Sequence, residues 1–237
     1  MKDLFGYSRV IAVGDIHGAF EKLYKLMAKI DFAPEEDMLI FLGDYIDRGP
    51  EPVRCLQYVF NMQHLFPESV VCLSGNHEVM MTSYFLEKKS RYNDMIGDFA
   101  ESWLENGGLR TLQQLNELDS DKKNELITWV TDLPVRYQYQ EFFFCHAGVD
   151  PDVPLSVQNE FDMLWRRRQW WDQYKGSETI VVGHTPVQKV KKEAGQARRA
   201  AKPLFLPNNI IMCDTGAYMQ GGKLTCVDVL SRKVWQA

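Results

Sequence analysis

The sequence predicts an α/β fold organised around a parallel sheet, and three repeated units carry that reading. Each unit is a short apolar or β-branched run, then a glycine beside an acid or amide, then a stretch with helical spacing. Runs of this kind suit parallel strands buried on both faces, and the loops at their carboxyl ends gather at one edge of the sheet. Motifs distant in sequence therefore meet in space. With 237 residues, 45% hydrophobic and 12% aromatic, the chain has enough apolar material for a full core. It reads as one domain over 1–237.

Arg9–Val13 is the first strand, ending at Gly14-Asp15, and Phe20, Leu23, Tyr24, Met27 and Ile30 follow it at helical spacing. Met38–Leu42 is the second, ending at Gly43-Asp44. Pro52 then suits the first turn of a helix reaching about His64, with Val53, Leu56, Val59 and Phe60 on its apolar face. Val70–Leu73 is the third, before Gly75-Asn76. Over about 79–132 the pattern becomes helical, with Leu104, Leu109, Leu112, Leu115, Leu118, Leu126, Ile127 and Val130 among polar residues. This stretch predicts a helical insertion packed beside the sheet. Phe142–Cys145 and Thr179–Val182 restore strand character before His146 and Gly183-His184. Ile210–Cys213 and Leu224–Val229 are further strands, with Gly221-Gly222 between them as an expected hairpin turn. Lys233–Trp235 reads as a last strand.

A formal net charge of −5 argues against a dedicated duplex nucleic-acid binder. No run of about 18 apolar residues spans a membrane, and the segment Met1–Arg9 lacks the apolar core of a signal peptide. The five cysteines lie far apart without a CxxC pair, so reduced, apolar cysteines are expected. Together these features predict a cytoplasmic protein.

Four of the five histidines stand in glycine-flanked clusters: Gly14-Asp-Ile-His-Gly18, Gly75-Asn-His-Glu78, His146-Ala-Gly148 and Gly183-His-Thr185. A fifth cluster, Gly43-Asp-Tyr-Ile-Asp-Arg-Gly49, carries two aspartates and an arginine. Imidazole nitrogen with carboxylate or amide oxygen suits a divalent metal of intermediate hardness. Asp15, His17, Asp44, Asn76, His146 and His184 supply six such side chains, and Asp44 can offer one oxygen to each of two ions. Cations about 3.5–4 Å apart can hold a hydroxide between them and stabilise an in-line displacement at phosphorus. His77 is placed to protonate a leaving oxygen, Asp47 to orient its ring, and Arg48 to fork onto phosphate oxygens.

At these residues the chain resembles the phosphoprotein phosphatase family of calcineurin-like metallophosphoesterases. The resemblance rests on Gly-Asp-x-His-Gly at 14–18, Gly-Asp-x-x-Asp-Arg-Gly at 43–49 and Gly-Asn-His-Glu at 75–78, separated by 24 and 25 residues. It extends over about 9–230 and is nearest to small bacterial and phage serine/threonine phosphatases. It implies a β-sandwich flanked by helices. It also implies one metal on Asp15, His17 and Asp44 and a second on Asp44, Asn76, His146 and His184. Manganese is the implied metal; iron, zinc, nickel, cobalt and magnesium are other candidates. Asp47–His77 becomes the proton-donor pair, with Arg48, Asn76 and Arg167, from the run Arg166–Arg168, at the phosphate.

The implied activity is hydrolysis of phosphoserine or phosphothreonine in proteins. The alternative on the same centre is hydrolysis of dinucleoside polyphosphates such as diadenosine tetraphosphate, or of RNA 5′ ends. Relatives with that second activity resemble Gly-Asp-x-x-x-Arg-Gly and Gly-Asn-His-Asp patterns. Asp47 and Glu78 stand at the differing positions here and favour the protein phosphatase. Expected partners are therefore a phosphorylated protein or a nucleotide polyphosphate.

Other polar residues read more plainly. Glu78 is expected to support the site without reacting, His64 to be structural, and Asp214 to be a loop residue. The basic segment 189–202 reads first as a solvated loop and second as a guide for anions. Trp165, Trp170 and Trp171 read equally as edge packing and as a stacking platform for a base.

Overall fold

In the computed structural model, residues 6–86, 99–167, 169–190 and 200–237 are described. Two five-stranded sheets form the centre. The first contains β1 (Arg9–Val13), β2 (Asp37–Phe41), β3 (Val70–Cys72), β9 (Thr225–Asp228) and β10 (Val234–Gln236), in the order β10-β9-β1-β2-β3. The second contains β4 (Arg136–Tyr139), β5 (Phe142–Cys145), β6 (Thr179–Val182), β7 (Leu204–Leu206) and β8 (Ile210–Met212), in the order β4-β5-β6-β8-β7. Within the first, β1, β2 and β3 are parallel, registered Ile11↔Leu39 and Ile40↔Val71. Within the second, β5, β6 and β8 are parallel, registered Phe143↔Ile180 and Val181↔Ile211. Antiparallel strands complete the rest of both sheets.

The parallel core strands follow the sequence reading, but they are divided between two sheets stacked as a sandwich. Side chains alternate across each strand. Val10, Ala12, Ile40 and Val227 of the first sheet pack in one cluster with Phe142, Phe144, Val181 and Ile211 of the second. The intervening residues, among them Ile11, Val13, Leu39, Phe41, Ile180 and Val182, join the helices in the larger cluster. Both faces of these strands are apolar, so the runs alone do not distinguish one sheet from two. A sandwich flanked by helices is the architecture observed.

Helix α1 (Phe20–Ile30) buries Phe20, Leu23, Leu26, Met27 and Ile30. Tyr24, predicted on this face, is 62% exposed and stacks on Phe20 while Leu26 takes the core position. Helix α2 (Pro52–Leu65) begins with its proline at the first turn. Helix α3 (Asn76–Phe85) starts at the third motif itself.

The predicted insertion comprises α4 (Phe99–Trp103), a π-helical turn (Leu104–Gly108), α5 (Leu109–Asn116) and α6 (Ser120–Thr131). Residues 87–98 of that stretch lie outside the described residues. Trp103, Leu115, Leu126 and Val130 join the larger core cluster, whereas Leu109 is 56% exposed. The short helix α7 (Glu160–Trp165) lies between β5 and β6 in the chain.

Gly221-Gly222 does not make the expected hairpin. β8 and β9 belong to different sheets, so the connection between them is a crossover. All five cysteines are buried and unpaired. No described helix is long and apolar enough to cross a membrane.

Candidate metal centre

The motif loops follow the carboxyl ends of β1, β2 and β3 in one sheet and of β5 and β6 in the other, so both layers contribute to one end of the sandwich. Their backbones are tightly shaped. His17, Asp44, Asp47, Arg48 and His184 all have left-handed φ values, of 43°, 54°, 70°, 63° and 62°. Such conformations are rare for residues with side chains and cluster at functional sites. A Cβ on Gly75 would collide with Asp44 Oδ1, and one on Gly183 with Asp15 Oδ1, so only glycine lets these loops approach.

Asp15, His17, Asp44, Asn76, His77, His146 and His184 are all at least 96% buried. Donor atoms of His17, Asp44 and His77 lie within 4.8 Å of one another, as do those of Asp44, His146 and His184. His146 Nε2 is 3.0 Å from Asn76 Oδ1, 3.0 Å from His184 Nδ1 and 3.4 Å from Asp44 Oδ1. His17 Nε2 lies 3.3 Å from Asp44 Oδ2. Asp44 therefore stands between the two groups, with one oxygen toward each. Asp15 adjoins them, but its two oxygens accept from the His184 amide at 2.9 and 3.0 Å.

The ring orientations suit cation binding. His146 Nδ1 donates to Leu42 O at 2.9 Å and His17 Nδ1 to Ile46 O at 2.8 Å, which turns both Nε2 atoms into the cluster. Nε2 of His77 and of His184 are buried without a hydrogen-bond partner. This convergence of imidazole, carboxylate and amide groups is a donor mixture that suits divalent metals.

The charges are strongly coupled. Burial raises the Asp44 carboxyl, but His146, His77 and His17 outweigh it and hold it well below the usual range. Burial lowers His146, yet Asp44 and Asp15 more than offset this and raise it to about 9. Burial, reinforced by His146 and Arg167, pushes His184 well down. Burial and the neighbouring Asp214 push Asp15 well up.

Around the donors, His77 Nδ1 donates to Asp47 Oδ2 at 2.6 Å. Arg48 Nη1 donates to His17 Nε2 at 2.6 Å, and its guanidinium lies 4.8 Å from the Tyr218 ring centroid. Glu78 ties two motif loops together by accepting from the amides of Asp44 (2.7 Å), Tyr45 (2.9 Å) and Gly75 (3.0 Å). Asp214 accepts from Gly216 N at 2.8 Å within its own loop. His64 is exposed, stacked on Phe60 away from the cluster.

A cleft of about 930 Å³ opens beside His184. Arg48, Arg166, Arg167 and Lys189 line it, with no carboxylate among the described residues of its wall. Arg167 Nη1 donates to His184 O at 3.1 Å, whereas Arg166 is held by Asp162 at 2.6 Å and Asp150 at 3.3 Å. Arg168 and residues 191–199 lie outside the described residues. Trp170 and Trp171 reach the cleft wall but are 2% and 5% exposed, and Trp165 stacks on Phe161, so all three pack the edge.

Three side chains at the site escaped the sequence reading: Tyr218, beneath Arg48, and Trp103 and Thr111, which bond to Asp47. Trp103 and Thr111 lie in the insertion, where helical spacing flags core leucines and gives no sign of a polar contact. Tyr218 lies in the crossover that was read as a hairpin.

The calcineurin-like phosphoesterase family model matches residues 8–214. The chain belongs to this family of metallophosphoesterases, and its His/Asp cluster fits the family's dinuclear divalent centre. A bis(5′-nucleosyl)-tetraphosphatase (asymmetrical) of Bacillus cereus is 28% identical over 90% of this chain and 87% of its own length. A protein serine/threonine phosphatase from Saccharomyces cerevisiae, with similarity to human phosphatase PP5, has a TM-score of 0.64 at 15% identity, covering 99% of this chain and 81% of its own. A cold-active protein-tyrosine phosphatase from a Shewanella species has a TM-score of 0.58 at 16% identity, covering 98% and 80%. The likeness to the two solved structures speaks for the fold alone.

Proposed function

We propose that this metallophosphoesterase hydrolyses nucleotide polyphosphates, dinucleoside tetraphosphates first among them. The observation that carries this reading is the cleft of about 930 Å³, whose wall carries four cationic side chains and, among the described residues, no acid. Its size falls in the range of about 300–1,000 Å³ common for small-molecule sites. One phosphate group needs one or two cations at the reacting phosphorus. A phosphate chain spreads charge along its length, and several cations set along one wall complement that spread. The Bacillus cereus tetraphosphatase supports the same substrate class. The motif reading of Asp47 and Glu78 favoured phosphoproteins instead, but neither residue lines the cleft where a substrate would be recognised.

In this reading Asp15, His17, Asp44, Asn76, His146 and His184 hold two divalent cations, with manganese the first candidate. Cations so held polarise a phosphoryl oxygen and lower the pKa of a bound water. Arg48, with Tyr218 behind it, and Arg167, with Asn76, hold the phosphoryl oxygens. His77, oriented by Asp47 through Nδ1, presents Nε2 to the leaving oxygen. A phosphate leaving group from an anhydride needs little protonation, whereas an alkoxide leaving group from an ester needs much more.

That last contrast supports a second reading, phosphoserine or phosphothreonine hydrolysis. The buried His77–Asp47 pair at 2.6 Å, with Nε2 unpartnered, is equipment for an ester's poor leaving group. Initial rates on diadenosine tetraphosphate and on a phosphoserine peptide, with manganese-loaded protein, separate the two. A large preference for the dinucleotide is expected; a large preference for the peptide installs the second reading, and turnover of neither removes both.

A further inference from the structure

Asp47 is completely buried, and its amide and carboxylate have partners outside its own loop. Thr111 Oγ1 donates to Asp47 Oδ1 at 2.5 Å and accepts from Asp47 N at 3.1 Å, closing a two-point bridge. Trp103 Nε1 donates to Asp47 Oδ2 at 2.9 Å, the same oxygen that accepts from His77 Nδ1 at 2.6 Å. Trp103 and Thr111 are both 0% exposed. Among the described residues, every donor to this carboxylate but the histidine comes from the helical insertion.

The backbone between Trp103 and Thr111 explains how one carboxylate receives both. An unbroken α-helix would separate residues eight apart by about 12 Å along its axis. Here the π-helical turn at Leu104–Gly108 intervenes, with Gly107 at φ 105° and Gly108 flat against the Trp103 indole, where a Cβ would clash. Short π-helical segments inside helices are often found at functional sites. Asp47 itself sits at φ 70°, a left-handed pose that aspartate tolerates when locally hydrogen-bonded.

We propose that Trp103 and Thr111 are positioning residues for the proton donor. They hold Asp47 so that its shared oxygen fixes the His77 ring and aims Nε2 at the leaving group. A buried carboxylate without these donors would lose hydrogen bonds it cannot recover from water, and would turn away from the imidazole. The proposal rests on His77 acting as the proton donor and is independent of which natural substrate is hydrolysed.

The test compares p-nitrophenyl phosphate, whose leaving group needs little protonation, with phenyl phosphate, whose leaving group needs more. Manganese-loaded wild type, H77N, W103F, T111V and T111S are assayed on both. The His77 Nδ1 proton is followed by NMR in metal-free protein, its resonance assigned by loss in H77N.

H77N is expected to lose the most on phenyl phosphate, up to about 10²–10⁴ in kcat. W103F and T111V are expected to lose about tenfold on phenyl phosphate, the scale of losing an orienting partner, with p-nitrophenyl phosphate largely spared and KM unchanged. Their Nδ1 proton should move upfield and exchange faster, while T111S, which keeps the hydroxyl, restores both. A substrate ratio that moves in H77N but not in W103F and T111V overturns this inference alone. A ratio that fails to move even in H77N overturns the proton-donor reading together with it. Equal losses on both substrates in W103F and T111V mean a purely structural role and also overturn it. If W103F does not fold, T111V and T111S carry the same decision.

Discussion

The strand-end loops and the helical insertion serve one site by different physics. The loops hold their donors through backbone shape: left-handed residues, glycines that no other residue could replace, and imidazoles oriented by backbone carbonyls. Among the described residues, the insertion brings no donor to the cluster. It contributes an indole, a hydroxyl and a turn that reach across to one carboxylate. In the proposed mechanism, the loops would bind the cations while the insertion would steady the proton donor, so the two tasks should respond to different substitutions.

The sharpest way to break that division is Asp44→Asn, because Asp44 faces both donor groups. Manganese affinity by calorimetry is expected to fall by at least about 100-fold, beyond the 10–100-fold usual for outer partners, while W103F leaves affinity unchanged. A matching loss in W103F would dissolve the distinction. Glu78→Ala comes next. It strands the amides of Asp44, Tyr45 and Gly75, and at about 1–3 kcal/mol for each unsatisfied buried group the protein should lose about 3 kcal/mol or more in denaturant unfolding.

A smaller effect is expected from pH. In the metal-free chain His146 is raised from 6.5 to about 9, so its proton occupies the atom that would ligate a cation. The sign follows directly: manganese binding strengthens as pH rises toward about 9, by up to tenfold per unit for one competing proton, and then levels off. For stability the same raised pKa acts oppositely. Its contribution to the metal-free fold is fully present below about 6.5 and is lost as pH rises through about 9. Calorimetry and thermal melts across that range read both slopes. Smallest of all, His64→Ala at an exposed position should stay within about ±0.5 kcal/mol and leave turnover unchanged.

The side chains that gather here were legible because residue chemistry and glycine spacing carry them: candidate donors of the right kind, each following an apolar run. Their meeting across two sheets was not, since strands apolar on both faces read alike whether they share a sheet or face one another. β4 and β7 escaped for the opposite reason. Arg136–Tyr139 alternates exposed and half-buried residues, and Leu204–Leu206 lies between Pro203 and Pro207 with every residue only half-buried, so neither looks like a core strand. On α1, Tyr24 and Leu26 both fit a loose helical stripe, and only packing decided that Leu26 goes inward. Gly221-Gly222 looks like a hairpin locally, but the partners of the flanking strands lie in different sheets. Thr111 and Trp103 were invisible because nothing in their neighbours announces that a turn will aim them at Asp47.

The most direct measurement is a calorimetric titration of manganese into metal-free wild type and Asp44→Asn. Two ions per chain are expected for the wild type, with both sites weakened by the substitution because one carboxylate serves both. No binding, or a single ion indifferent to Asp44→Asn, would contradict the account.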